Sequence, residues 1–429
     1  MTLSKRDKQI IWHPFTQEKT ATDVIAVSSA AGSYIYGEDG KAYLDLISSW
    51  WVNLHGHAHP KIVQSIYEQA LQLEHVIFAG FTHEPAVNLC EALQEILPQA
   101  LNKFFFSDNG STAVEVALKM AYQYWRNQGI KEKTVFLSFE GGYHGDTFGA
   151  MSVGAKSGFH DEFSDLFFKV LAIPYPDTWR GDQTIAAKEA QTLAILDQYL
   201  QQYEGKIAAM ILEPLVQGAS GMRMCSVAFL KRLIERVRHY NILVIFDEIM
   251  TGFGRTGTYF ALSQLAIIPD FLCLSKGITG GFLPLALTVT SGPVYNAFLS
   301  QEWKQAFAHG HSYTANPLAC RAALASLTLL KSLECQNAIR AINEAHHKGI
   351  AFLESTCPTI EKFRIMGTIG AFDVKHGKQL NASLKSACLN AGLLLRPLGS
   401  TVYLLPPYSV SSEELEEAYK KIATILNRL

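Results

Sequence analysis

A repeated alternation of short apolar runs with stretches of helical periodicity most constrains the fold of this 429-residue chain. The runs are rich in β-branched residues and lie at residues 102–106, 135–138, 209–212, 242–246, 271–274 and 286–290. Such runs are typical of strands buried on both faces, and the helices between them supply the crossovers that parallel strands need. We therefore predict an α/β fold with a mostly parallel central sheet and helices on both of its faces.

Smaller elements flank this region. The first fifty residues contain short strand-like segments separated by turns, such as 33–36 and 42–47. After residue 316 the pattern predicts helices at 317–333, 336–356, 380–391 and from 412, with strands at 369–374, 393–396 and 402–405. We predict three parts: an N-terminal segment (1–60) that packs with a small domain, a large domain (61–315), and a C-terminal small α+β domain (316–429).

Composition and charge exclude several classes of function. The chain is 48% hydrophobic and has a formal charge of −2, so it has no basic field for nucleic acid or anionic lipid. Its N-terminus lacks the apolar core of a signal peptide, and no run approaches the roughly 18–20 apolar residues of a membrane span. The seven cysteines are scattered without a CxxC pair, which favours reduced thiols. We expect a cytoplasmic protein with no nucleic-acid or membrane partner.

The motifs of other chemistries are either weak or absent. The glycines of 252–257 match the dinucleotide pattern G-x-G-x-x-G, yet five residues separate them from the run 242–246 and no strong helix follows. The chain has neither a phosphate-binding G-x-x-x-x-G-K-[ST] loop nor a G-x-S-x-G nucleophile motif. His55, His57 and His59 alternate beside glycine and proline in a spacing that is not a zinc pattern, so we expect no metal site.

Polar residues at predicted strand ends point to a different ligand. Asp247 follows the apolar run 242–246, and Lys276 follows the run 271–274, so both belong to the sheet edge where open α/β sheets bind ligands. The turn 108–112 precedes a helix whose N-terminal N–H groups suit a phosphate, although a simple N-cap explains that turn equally well. Tyr143, in the glycine-rich loop 141–146, could lie flat on a planar ring. Together these groups match pyridoxal phosphate, which needs an amine, a carboxylate, a stacking ring and phosphate donors.

At these residues the chain resembles class III (ω-amino acid) aminotransferases, which are pyridoxal phosphate enzymes of fold type I. The resemblance rests on DEIMTGFGRTG at 247–257 and PDFLCLSKGITGG at 269–281, and it extends over essentially the whole chain. Within the family, the segments 11–16, 48–51, 142–152, 396–397 and 403–408 are similar to the branch that acts in biotin synthesis.

The resemblance implies roles for the residues around the cofactor. Lys276 would form the Schiff base and move the proton, and Asp247 would pair with the pyridine nitrogen. Tyr143 would stack on the ring, and Gly110 and Ser111 would hold the phosphate. A second phosphate contact is implied from the partner subunit of a homodimer with shared active sites, through Gly310, His311 and Ser312, where His311 departs from the family's Gly-Pro-Thr.

Other residues would bind substrates. Trp50 would wall the pocket, Arg396 would clamp the carboxylate of the acceptor with a bidentate guanidinium, and Arg255 would bind the carboxylate of the donor. Phe15 stands where this branch has tyrosine, at a position implied to stack on the adenine of the donor.

The implied reaction is a ping-pong amino transfer to 8-amino-7-oxononanoate, which yields 7,8-diaminononanoate with S-adenosylmethionine as donor. Because Phe15 lacks the tyrosine hydroxyl, lysine remains an alternative donor. Another ω-aminotransferase or an aminomutase on the same scaffold, and a non-catalytic cofactor-binding protein, remain as alternative functions.

Overall fold

The computed structural model describes residues 1–154, 158–375 and 377–429. Its helices are α1 Leu3–Ile10, α2 Ser48–Trp51, α3 Pro60–Ala70, α4 Glu84–Gln94, α5 Gly110–Asn127, α6 Phe148–Val153, α7 Ile185–Gln202, α8 Val227–His239, α9 Leu262–Leu265, α10 Gly292–Asn296, α11 Pro317–Lys331, α12 Leu333–Thr356, α13 Gly377–Asn390 and α14 Ser412–Leu426. Its strands are β1 Val27–Ala31, β2 Tyr34–Gly37, β3 Ala42–Asp45, β4 Leu101–Ser107, β5 Val135–Phe139, β6 Val170–Ile173, β7 Ile207–Leu212, β8 Val216–Gln217, β9 Arg223–Met224, β10 Leu243–Asp247, β11 Phe271–Leu274, β12 Ala286–Ser291, β13 Ile360–Met366, β14 Ile369–Val374, β15 Leu393–Leu394 and β16 Thr401–Leu404.

A seven-stranded sheet in the order β4-β12-β11-β10-β7-β5-β6 forms the centre of the molecule. Every neighbouring pair from β11 to β6 is parallel, whereas β12 is antiparallel to both β11 and β4. This confirms the prediction of a mostly parallel sheet. The edge strand β6 was not predicted, because its apolar run is only four residues long and follows a lysine.

Alternate residues of the central strands enter two separate apolar cores, one on each face of the sheet. In β10, Val244 and Phe246 belong to the larger core, while Leu243 and Ile245 pack with the buried face of α5. All five residues of β10 are buried, so both faces of the strand exclude water. This two-sided burial explains why the strand is a continuous apolar run and not an alternating one.

The C-terminal part forms a smaller α+β unit. The antiparallel strands β13, β14 and β16 form its sheet, against which α12 packs, and α12 also packs against α14. Strand β3 near the N-terminus pairs in parallel with β15 and completes a four-stranded sheet with β1 and β2. This pairing supports grouping the N-terminal segment with the small unit, while the domain limits at residues 60 and 315 stay predictions.

Two further differences from the sequence prediction concern short elements. Residues Leu3–Ile10 form a helix capped by the Thr2 side chain, although no residue of that helix is buried. The expected strand 393–396 is only two residues long, because a turn and β16 follow it closely. Within the described residues, no helix is both long and apolar enough to cross a lipid bilayer.

Candidate active site

A cavity of about 820 Å³ opens at the carboxyl ends of the parallel strands, and the loops that follow β5, β10 and β11 line it. Eight of the predicted site residues line it, namely Phe15, Trp50, Gly110, Ser111, Tyr143, Asp247, Lys276 and Arg396. They come from the N-terminal segment, the central sheet and the small C-terminal unit. The fold therefore gathers side chains that lie up to 381 positions apart, from residue 15 to residue 396, around one space.

The carboxylate of Asp247 is fixed at the end of β10 by two hydrogen bonds. Its Oδ1 accepts from the backbone N–H of Ile249 at 3.1 Å, and its Oδ2 lies 2.7 Å from Nδ1 of His144. Because a carboxylate only accepts, the imidazole donates through Nδ1. Asp247 and His144 are each 3% exposed. The site therefore has a buried acid whose orientation is set by a histidine.

Lys276 leaves β11 in a strained backbone conformation. Its φ of 46° lies in the left-handed region, which costs a non-glycine residue about 1–2 kcal/mol. The Nζ atom lies 4.9 Å from the centroid of the Trp51 ring. Burial lowers the pKa of Lys276 below its ordinary value, although Asp247 and Glu213 act in the opposite direction. Desolvation thus favours a neutral amine, which is the form that can act as a nucleophile or base.

The N-terminus of α5 forms a cradle beside these groups. Asn109 caps the helix in a reciprocal capping box with Thr112, and the first two residues of the helix, Gly110 and Ser111, line the cavity. A Cβ on Gly110 would lie 2.9 Å from the side chain of Ile249, so the close approach requires glycine. The Ser111 hydroxyl lies 2.8 Å from that of Thr147, which ties the cradle to the loop that carries Tyr143.

Glu213 was not singled out from the sequence, and it anchors the loop that carries Tyr143. Its carboxylate accepts the backbone N–H of Tyr143 at 3.2 Å and that of Gly218 at 2.9 Å. Burial, as the largest cause, raises the pKa of Glu213 to about 7, and Asp247 contributes in the same direction while His144 opposes it. The residue follows β7 directly, so its position at a strand end was the available sequence signal.

Aromatic rings form the wall of the cavity opposite the sheet. Residues Ser48–Trp51 make a left-handed turn with φ between 45° and 75°, and this turn carries Trp50 into the cavity. The ring of Phe15 meets Trp50 edge to face with centroids 5.5 Å apart. The guanidinium carbon of Arg396 lies 4.0 Å from the Trp50 ring centroid, in the range of a cation–π contact.

Arg255 is buried among backbone carbonyls. It is 1% exposed, and its guanidinium donates to the backbone carbonyls of Trp51, Asn53 and Pro406, the last two at 2.9 Å. It does not line the cavity. Its hydrogen bonds join the turn that carries Trp50 to the C-terminal chain, and the expectation that Arg255 binds the carboxylate of the donor stays a prediction.

Gly310, His311 and Ser312 also lie outside the lining of this chain's cavity. Gly310 and Ser312 are exposed and His311 is half-buried, in a stretch without helix or strand before α11. A contact from these residues to a cofactor would therefore require a second copy of the chain, and the expectation of a shared site stays a prediction.

Comparisons with known proteins agree with this geometry. The family model for class III aminotransferases matches residues 15–426. A relative from Synechococcus elongatus named adenosylmethionine-8-amino-7-oxononanoate aminotransferase is 50% identical over 424 residues, which cover 98% of this chain and 99% of the relative. A crystal structure of the enzyme of that name from Methanocaldococcus jannaschii has 33% identity and a TM-score of 0.91, and covers 99% and 98% of the two chains. A PLP-bound amine transaminase from an uncultivated Pseudomonas species has 29% identity and a TM-score of 0.91, with 98% of each chain covered.

The fold and the matches define a transferase of fold type I that depends on pyridoxal phosphate. The chain belongs to the class III aminotransferase family. This membership confirms the predicted fold, enzyme class and cofactor, and it excludes the non-catalytic alternative. The described residues fit the cofactor, because the cavity combines a buried acid, a desolvated lysine and a helix N-terminus whose first residue has no room for a Cβ.

Proposed function

We propose that this chain is the aminotransferase of biotin synthesis that converts 8-amino-7-oxononanoate to 7,8-diaminononanoate. The names of its relatives support this reaction. The observation that carries the proposal is the presence of Lys276 and Arg396 in one cavity. A keto acid that accepts an amino group requires two groups in its site: an amine that takes part in the amino transfer, and a guanidinium that binds the carboxylate.

Pyridoxal phosphate, when bound, supplies an aldehyde that takes up the amino group and a ring that withdraws electrons from the substrate carbon. Lys276 holds the cofactor and, once released as a neutral amine, carries a proton away from the substrate carbon. Asp247, oriented by His144, stabilises a protonated ring nitrogen, and the N–H groups of Gly110 and Ser111 bind the phosphate. Tyr143 packs against the ring face.

Arg396 and Trp50 recognise the acceptor in this proposal. The guanidinium of Arg396 is held over the Trp50 ring, so its donors are presented in a fixed direction. A fixed fork of donors binds a carboxylate through two parallel hydrogen bonds, which sets the distance between the carboxylate and the reacting carbon of the chain.

S-Adenosylmethionine is the amino donor that we propose, and lysine is the alternative that Phe15 leaves open. The Phe15 ring contacts Trp50 and also lies 6.2 Å from Phe159, edge to face, so an aromatic surface for a flat adenine is present without the tyrosine hydroxyl.

A half-reaction panel tests the substrates. The holoenzyme is mixed separately with S-adenosylmethionine, lysine, ornithine and 4-aminobutyrate, and the absorbance of the lysine-bound cofactor is followed. Loss of that absorbance with S-adenosylmethionine or lysine, restored by 8-amino-7-oxononanoate, supports the proposal. A response to 4-aminobutyrate alone would reject the biotin reaction in favour of another ω-aminotransferase.

We also propose a homodimer in which Ser312 of each copy completes the phosphate site of the other. The exposed positions of Gly310 and Ser312 and the exposed rings of Trp303 and Tyr313 nearby support an interface there. Light scattering gives the mass in solution. A monomer that retains full activity would contradict the shared site, and Ser312→Ala should weaken cofactor binding while the dimer persists.

A further inference from the structure

His160 is a buried histidine beside the cavity that the roles above do not use. Its side chain is 4% exposed, and its Nε2 lies 2.9 Å from Oδ1 of Asp146. Its ring stacks on that of Tyr143, with centroids 5.8 Å apart and planes inclined by 24°. One side chain therefore contacts both an acid and an aromatic residue that line the cavity.

The hydrogen bonds define the tautomer of His160. Because the Asp146 carboxylate only accepts, Nε2 must carry a hydrogen. Nδ1 is buried and has no hydrogen-bond partner among the residues that the structure describes. His160 therefore donates to Asp146 through Nε2.

Asp146 is held from two sides by these neighbours. Its Oδ1 accepts from His160, and its Oδ2 accepts from the hydroxyl of Tyr143 at 2.9 Å. The Asp146 side chain is 52% exposed, so without these donors it would be free to change rotamer. Burial, followed by the charge of Asp146, raises the pKa of the Tyr143 hydroxyl above its ordinary value, which keeps it a donor.

We propose that His160 is a positioning residue: its Nε2–H fixes Asp146, and Asp146 in turn fixes the ring of Tyr143 against the bound cofactor. The proposal rests on the role given to Tyr143 above. It assigns the function to the hydrogen bond and not to the stacked ring alone. Loss of the hydrogen bond between His160 and Asp146 therefore weakens the binding of the cofactor, whichever amino donor the enzyme uses.

Two substitutions distinguish the effect of the hydrogen bond of His160 from the effect of its stacked ring. His160→Phe keeps an aromatic ring against Tyr143 and removes the donor, whereas the amide nitrogen of His160→Gln reaches nearly the same place as Nε2 and keeps it. Equilibrium dialysis of each holoenzyme measures the dissociation constant of pyridoxal phosphate. We expect His160→Phe to raise it about tenfold, as the loss of one hydrogen bond to a charged group predicts, and His160→Gln to stay within about twofold of wild type. The proposal would be overturned if His160→Phe bound pyridoxal phosphate as tightly as wild type, or if both variants weakened its binding equally.

A double-mutant cycle tests whether the effect passes through Asp146. In an Asp146→Ala background, which leaves His160 without this acceptor, His160→Phe should change the dissociation constant by less than about twofold, and a full, additive tenfold loss there would contradict the coupling. His59→Phe is the matched control, because His59 also has a buried Nδ1 that finds no partner in the described part of the chain, and it lies outside the cavity lining. A comparable loss in that control would refute a specific role for His160. The half-reaction panel fails or succeeds independently of this binding measurement, so the two proposals are tested separately.

Discussion

Nδ1 of His144 donates a 2.7 Å hydrogen bond to Oδ2 of Asp247, and both side chains are buried at the carboxyl end of β10. A buried carboxylate with one oxygen on a histidine and the other on a backbone N–H has no freedom to turn away. The pair therefore presents a fixed carboxylate to the cavity, as the role proposed for Asp247 beside the ring nitrogen of the cofactor requires.

Asp247→Asn should lower kcat by at least about 10²-fold, because the amide keeps the shape of the side chain but cannot stabilise a protonated ring nitrogen. Steady-state rates at saturating substrate, with cofactor content measured in parallel, check this expectation. His144→Phe serves as the companion variant and should give a smaller loss, since it removes the orienting bond and retains the charge. Near-normal turnover in Asp247→Asn would refute the assignment.

Lys276→Ala should abolish turnover, by at least about 10⁴-fold, because the variant loses both the group that holds the cofactor and the base that moves the proton. We expect the fold to survive and even to gain stability, since removing the side chain relieves the desolvation of a buried amine, although the left-handed φ of 46° remains unfavourable for alanine. Circular dichroism and the thermal midpoint report the fold, and single-turnover assays report the chemistry. Transamination that persists in this variant would contradict the lysine assignment.

The stability of the protein should depend on the ionisation of Glu213. Its pKa is raised from 4.5 to about 7 in the folded chain, chiefly by burial, so the folded state binds the proton more tightly than the unfolded state. The stabilisation of the folded state by this tighter proton binding is therefore fully present below about pH 4.5, and it is lost as the pH rises through about 7. At 1.36 kcal/mol per pKa unit, the loss between pH 5 and pH 8 is about 2–3 kcal/mol.

Urea unfolding of wild type and Glu213→Gln at pH 5 and pH 8, without added cofactor, measures this effect. From pH 5 to pH 8, the unfolding free energy of wild type should fall relative to that of Glu213→Gln, because glutamine does not titrate. A difference that is the same at both pH values would show that Glu213 has an ordinary pKa.

The sequence predicted the central sheet and the cofactor groups because both depend on local patterns. The run before Asp247 is continuous and apolar since both faces of β10 are buried, and Lys276 follows an equally buried strand. The contacts of His144 and Glu213 were not predictable, since they depend on which strand ends become neighbours in the sheet. Those of His160 depend on how the connection between β5 and β6 folds back on itself. The surroundings of Arg255 were not predictable either, since the sequence does not reveal that its guanidinium donates to the carbonyls of Trp51, Asn53 and Pro406.

The two arginines of this region should therefore respond differently to the same substitution. Arg396→Met removes a guanidinium that contacts the Trp50 ring at the cavity surface, so we expect a KM for 8-amino-7-oxononanoate that is higher by about tenfold or more, with an unchanged thermal midpoint. Arg255→Met leaves three buried carbonyls without a donor, so it should cost roughly 2–5 kcal/mol of unfolding free energy. Because Arg255 holds the turn that carries Trp50, any kinetic loss should affect donor and acceptor alike. If Arg255→Met kept its stability and raised the KM of the donor alone, the guanidinium would have to reach the substrate, and the structural role assigned to it would be wrong.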